Sequence, residues 1–308
     1  MRRQDSKIPI TILTGFLGAG KTTLLNNLIE SSQKKLALII NEFGELGIDG
    51  ELVLDAEDQV LELNNGCLCC TVQGDLTKIL LKLHNDERTF DQIVIETTGL
   101  ANPAPVAELI YFDPLINSKF YVDGVLTVFD AVNSGRVLAS PEGLKQVVYA
   151  DKILVSKLDL YDDFELAKLS EINPLATVVA CEYGKLSDLE SLLDLGGFNV
   201  DVLSLGSEKH SHSHMTSLSL SKNGVVNNAR FRQWVGSVLF DMSDVVYRMK
   251  GIVNLSGVEG STIFQSVHRL FEDELSGRSY GDLNRLVIIG EGLQDSVLKE
   301  GFFACFEE

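Results

Sequence analysis

Gly15-Phe16-Leu17-Gly18-Ala19-Gly20-Lys21-Thr22-Thr23 reads G-x-x-x-x-G-K-T in full. An apolar, β-branched stretch, Ile8 to Leu13, precedes it, and Thr23 to Ile29 follows with amphipathic spacing. Strand, glycine loop and helix in succession are the setting in which this pattern cradles phosphate. Gly15, Gly18 and Gly20, with Ala19 among them, let successive backbone N–H groups curl round an anion without Cβ clashes. The helix adds its N-terminal dipole and orphan donors. Lys21 is expected to reach the β- and γ-phosphates of a nucleoside triphosphate, and the Thr22 hydroxyl to take one Mg²⁺ position. Thr23 closes the set of loop residues placed at the nucleotide.

Downstream, Leu36 to Ile40 reads as a buried strand ending in Asn41-Glu42-Phe43-Gly44. Val60 to Leu63 is a short strand leading into Asn64-Asn65-Gly66, and Val72 to Leu83 has helical spacing. Gln92 to Ile95 closes on Glu96-Thr97-Thr98-Gly99; Val125 to Phe129, Lys152 to Val155 and Ala176 to Ala180 follow as further strands. Short apolar strands alternating with helical patterns predict an α/β P-loop fold, a mainly parallel sheet with helices on both faces. Ligands of such sheets sit at the carboxyl ends of the strands, where the polar motifs fall. The texture changes to Gly, Ser and His after about residue 194. The domain reading is therefore 1–200 for the P-loop domain, 201–216 for a His-containing linker and 217–308 for a smaller α+β domain, with a split-βαβ order.

The 308 residues leave room for two domains and a sizeable core. Lys and Arg total 26 against 44 Asp and Glu, a formal charge of −18. That acidity argues against nucleic acid and anionic membrane as main partners. No apolar run approaches a membrane span, and the basic start leads within a few residues into the first strand. Three of the five cysteines are packed into four positions, which is no disulfide framework. The expectation is a reduced, cytoplasmic protein.

Ser156-Lys157-Leu158-Asp159 matches the [N/S/T]-K-x-D pattern that selects guanine. An ionised Asp159 only accepts hydrogen bonds, and guanine offers two adjacent donors, whereas adenine presents an acceptor there. Sites built on such pairing discriminate by orders of magnitude. The Lys157 stem is expected over the base, and a backbone N–H at Ala180-Cys181-Glu182 near guanine O6. Glu96 is placed near Mg²⁺ through a water, and Gly99 is placed so that its N–H senses the γ-phosphate. Asn41 to Asp49 reads as a first switch segment, with Asp49 near Mg²⁺. No residue stands out for positioning the attacking water, so catalysis is expected to rest on preorganised charge and switch closure, with Lys21, Glu96 and Gly99 its participants.

Cys67-Leu68-Cys69-Cys70 lies between the two switch segments. As thiolates the three sulfurs suit Zn²⁺ or another thiophilic ion, one ligand short of a tetrahedron. Glu42, a water or a recipient protein can complete the set. A redox switch and a buried cysteine-rich strand end are the other readings. His268, on an apolar alternating strand, reads as a core or interface residue, His84 as a surface residue, and Cys181 and Cys305 as buried thiols. Trp234, Phe231, Val235, Val238 and Leu239 form a core stripe at helical spacing.

In this order G-F-L-G-A-G-K-T, N-E-F-G, G-C-L-C-C, E-T-T-G and S-K-L-D, with a smaller second domain, resemble the CobW-type GTPases. The likeness runs on more loosely through Lys250-Gly251, Gln265-Ser266-Val267-His268 and Asn284-Arg285-Leu286-Val287. It implies GTP-dependent handling of a transition metal, most often Zn²⁺, with delivery to a metal-dependent client protein. GTP and Mg²⁺ are the expected nucleotide and ion, and hydrolysis without a partner is expected to be slow. It further implies Cys67, Cys69 and Cys70 as the metal motif, and Lys21, Thr22, Glu96, Lys157 and Asp159 as nucleotide residues. Co²⁺ handling for corrinoid synthesis shares the resemblance and the ligand set, and a redox- or metal-sensing regulatory GTPase is a further alternative. The His-rich tract that family members often carry is here only His210-Ser211-His212-Ser213-His214, open to reading as a weak metal site or a solvated linker. Oligomeric state is left open.

Overall fold

A computed structural model describes residues 7–40, 60–62, 72–85, 89–161, 163–181, 188–193, 195–196, 210–212, 215–276 and 279–307. Seven strands build the first sheet: β1 Ile8–Gly15, β2 Leu36–Ile40, β3 Val60–Glu62, β4 Gln92–Glu96, β5 Phe120–Asp130, β6 Lys152–Ser156 and β7 Thr177–Ala180. Their order is β3-β2-β4-β1-β5-β6-β7, and the pairings from β3 through to β6 are parallel. Helices α1 Lys21–Ser31, α2 Val72–His84, α3 Ala104–Phe112, α4 Pro114–Asn117, α5 Ser134–Ala139 and α6 Pro141–Tyr149 occur among these strands.

Why the sheet is buried on both sides follows from residue alternation. In β1 the side chains of Leu13 and Ile12 are both fully buried but face opposite ways. Leu13 joins Leu24, Leu25 and Leu28 of α1, Leu38, Val94, Leu126, Val128 and Leu154 in one core. Leu192 and Leu193 close that core. Polar exceptions are paired: the Gln92 amide donates to Thr11 Oγ1 at 2.7 Å and to the Leu193 carbonyl, and accepts from Lys34 Nζ at 3.0 Å.

The chain divides into two compact units, Met1–Glu165 with Val178–Gly196, and Leu166–Thr177 with Gly197–Glu308. Short helix α7, Ala167–Ile172, thus groups with the C-terminal residues although it lies between β6 and β7 in sequence. The second unit holds strands β8 His210–His212, β9 Met215–Asn223, β10 Val246–Val253, β11 Thr262–Val267, β12 Leu270–Leu275 and β13 Leu283–Glu291. They form an antiparallel sheet in the order β12-β11-β10-β13-β9-β8. Between β9 and β10 in sequence runs α8, Asn228–Asp241, and β13 is inserted between those two strands in space, a split βαβ arrangement. Phe231, Val235, Val238 and Leu239 of α8 pack with Leu298 and Phe302 of α9, Asp295–Phe303, and Trp234 lies against the same core.

Three elements depart from the sequence reading. Val125 to Phe129 is only the end of β5, which begins at Phe120. Asp123 and Gly124 disguise its first half; the Asp123 carboxylate accepts from the N–H groups of Leu195 and Gly196, at 2.9 and 3.3 Å. His210–His212 is a strand paired with β9 rather than linker. His268 is not on the strand: it is half-buried in the turn after β11 with φ 54°, a conformation histidine adopts more readily than β-branched residues. No described helix is long and apolar enough to cross a membrane.

Candidate functional site

The carboxyl ends of β1, β4, β5 and β6 carry the site residues, each leaving the sheet into a polar turn. Gly15 ends β1 with φ 147°, and a Cβ there would collide with the Val128 carbonyl of β5. Gly18 and Gly20 have φ of 73° and 102°, and Gly20 caps α1. The loop closes through Ala19 N–H on the Phe16 carbonyl at 3.1 Å. Arg136 of α5 stacks over the Phe16 ring, 5.6 Å from its centroid.

Lys21 is buried, and its Nζ donates to the Gly15 carbonyl at 2.9 Å. Burial lowers its pKa, and the Glu96 carboxylate, 4.0 Å away, works in the other direction. Thr22 and Thr23 are exposed in the first turn of α1. Glu96 is buried at the end of β4, and the next residue is locked to β1: Thr97 N–H donates to Leu13 O at 2.9 Å, and its hydroxyl to Thr14 Oγ1 at 2.9 Å. Gly99 lies against the phosphate loop, where a Cβ would come within 2.7 Å of the Leu17 backbone nitrogen.

From β6, two side chains reach the same loop. Ser156 Oγ donates to Ala19 O at 2.7 Å, and Lys157 Nζ donates to Gly18 O at 2.7 Å. Lys157 takes the left-handed backbone, φ 61°, and its Nζ also donates to Asp130 Oδ2 at 2.7 Å. Asp130, at the end of β5, is almost fully buried and also accepts from the backbone and side-chain nitrogens of Asn133 at 3.2 and 2.7 Å. Burial alone would raise its carboxyl pKa; hydrogen bonds from Lys157 and Asn133 outweigh it and hold the pKa below the ordinary range. Asp159 is exposed in the turn beyond.

Lys21, Glu96, Gly99, Ser156 and Lys157 therefore lie together at one loop. Cys181 does not belong with them. Its N–H is spent on the Val155 carbonyl at 2.8 Å and its side chain is buried in the core, so it offers guanine no donor. Glu42, Asp49, Cys67, Cys69, Cys70, Glu182 and His214 lie outside the described residues, among which no metal-binding cluster of His, Cys, Asp and Glu occurs. Sequence reasoning misses Asp130; an acid closing an apolar strand at the ligand edge is the signal that could have found it.

This fold and loop define a P-loop nucleoside-triphosphatase architecture. Residues 9–180 match the family described as CobW/HypB/UreG, nucleotide-binding domain, and residues 215–306 match the cobalamin synthesis protein cobW C-terminal domain. The chain belongs to the CobW/HypB/UreG family. It is 34% identical over 315 residues to zinc-regulated GTPase metalloprotein activator 1 of Schizosaccharomyces pombe, covering 86% of this chain and 76% of that protein. It is 31% identical over 312 residues to the zinc chaperone YjiA of Escherichia coli, covering 96% and 98%. A crystal structure of the Zn(II)-bound YjiA GTPase matches with a TM-score of 0.77 at 27% identity, over 98% of this chain and 99% of that one.

Proposed function

We propose that this chain is a GTP-hydrolysing metallochaperone that carries a transition metal, zinc first, on Cys67, Cys69 and Cys70 and passes it to a client protein. The observation that carries the nucleotide half is the double attachment of the guanine-selecting turn to the phosphate loop, Ser156 on Ala19 and Lys157 on Gly18. Base and phosphate sites are thereby held in one rigid register, and Asp159 is left exposed to accept from guanine. Lys21 exchanges its loop carbonyls for β- and γ-phosphate oxygens. The hard oxygens of Thr22 and Glu96 would hold Mg²⁺, which would supply positive charge against the phosphates.

The relatives' names, zinc chaperone and zinc-regulated GTPase metalloprotein activator, support zinc as the cargo. Three thiolates fit it chemically, with Glu42 or a client residue as fourth ligand. Metal and GTP each favour one switch arrangement, so each tightens the other's binding by the same factor. Loss of the γ-phosphate then loosens the cysteine site, and the ion leaves by ligand exchange.

Phosphate release tests the nucleotide assignment. The wild type is expected to hydrolyse GTP, not ATP, without any acceptor, and K21A to abolish turnover. D159N is expected to shift preference from GTP towards xanthosine triphosphate, because the new amide can donate to the carbonyl that replaces guanine's 2-amino group. Unchanged GTP selectivity in D159N contradicts the assignment.

A further inference from the structure

Gln146 is a polar side chain that none of the sequence motifs includes. It lies on α6 just before Val147, Val148 and Tyr149, and is 1% exposed. Its main-chain carbonyl accepts from Thr127 Oγ1 at 2.7 Å, which fixes this turn of α6 to β5. Its carboxamide nitrogen donates to two backbone carbonyls, Gly99 at 3.2 Å and Ala101 at 3.1 Å. These are the residues that follow Glu96-Thr97-Thr98. The carboxamide oxygen, Oε1, is buried with no hydrogen-bond partner among the described residues.

Packing alone does not ask for this residue. A methionine or leucine fills similar space, whereas a buried amide oxygen left without a donor is unfavourable and uncommon. What distinguishes glutamine is that it carries a donor and an acceptor on one short, rotatable group. A peptide unit that turns over presents an N–H where a carbonyl stood, and a carboxamide can pair with either face. Gly99 is free to make such a move only within narrow limits, since Leu17 of the phosphate loop lies directly against it.

We propose that Gln146 is a positioning residue for the response to γ-phosphate: its amide nitrogen holds the Gly99–Ala101 backbone in the present arrangement, and its oxygen accepts the main-chain N–H offered when that segment rearranges around GTP. The inference rests on the reading of Gly99 as the γ-phosphate sensor. In the present arrangement the unpaired burial of its oxygen offsets the bonds of its nitrogen, and only the GTP arrangement pairs that oxygen. Losing the carboxamide therefore disfavours the GTP arrangement more, without any contact to nucleotide.

The test is the affinity of the full chain for GDP and for a non-hydrolysable GTP analogue, both with Mg²⁺, in wild type, Q146M and Q146N. Q146M removes both polar atoms at similar length, and Q146N keeps the amide but is too short to reach both carbonyls. The expected result is GDP affinity close to wild type and analogue affinity reduced about tenfold in both variants. An undiminished analogue-to-GDP ratio overturns the inference, as does an equal loss for the two nucleotides, which marks a merely structural role. Equal affinities in the wild type overturn the sensor reading itself, and this inference with it. Should neither variant fold, hydrogen exchange of the wild-type 97–103 segment decides: it is expected to differ between GDP and analogue, and identical protection overturns the proposal.

Discussion

At the residue scale, Asp130 and Lys157 carry more of the site than their sequence context announces. The carboxylate is almost fully buried, the ammonium about one-third exposed, and their 2.7 Å contact holds the Lys157 head on Gly18. A charge-assisted hydrogen bond of this kind is worth about 1.5–3 kcal/mol, and partial exposure of the lysine puts this one at the low end. D130N is therefore expected to lower unfolding free energy by about 1–2 kcal/mol and to weaken GTP more than it weakens inorganic phosphate. Denaturant melts and nucleotide titrations measure the two effects. The pH sign follows from a depressed carboxyl pKa. The contribution is fully present above about pH 4 and is lost as pH falls through the native pKa, so the wild-type advantage over D130N vanishes in strong acid. A D130N deficit that grew on acidification would contradict the assignment.

The interlocking of elements is where sequence reading succeeds for one reason and stops for another. β1, the glycine loop and α1 are legible because hydrophobic period, glycine spacing and the helix start agree within Ile8–Ser31. Ser156 and Lys157 are legible because their spacing encodes base chemistry. Gln146 is not: on α6 it is one polar letter beside an apolar run, and only the fold brings it to Gly99 and Ala101. The edge strand β12 is hidden by Glu272, Asp273 and Glu274, charges that suit a sheet edge but spoil alternation. Gly99 permits the close approach of the β4 exit to the phosphate loop. G99A drives a methyl to 2.7 Å from a backbone nitrogen, and is expected to cost about 1–3 kcal/mol of stability and to impair GTP hydrolysis. Unchanged melting and turnover would show that the two segments separate freely.

For the whole molecule, the proposed function joins two chemistries: hard oxygens at the nucleotide, and the soft thiols of Cys67, Cys69 and Cys70 as the proposed metal site. The nucleotide half is written in both sequence and geometry. The thiol half is written in Cys67, Cys69 and Cys70 alone, because those residues lie outside the described ones. Linkage nonetheless makes a quantitative demand: any free energy by which GTP tightens zinc must reappear as zinc tightening GTP. The most direct measurement is zinc affinity by chelator competition, in GDP and in a non-hydrolysable GTP analogue, for wild type and a C67S/C69S/C70S variant. The account predicts tighter zinc binding with the analogue than with GDP by about fivefold or more, lost in the triple variant. Equal zinc affinity in the two nucleotide states would contradict a GTP-driven carrier and leave the cysteines a structural site.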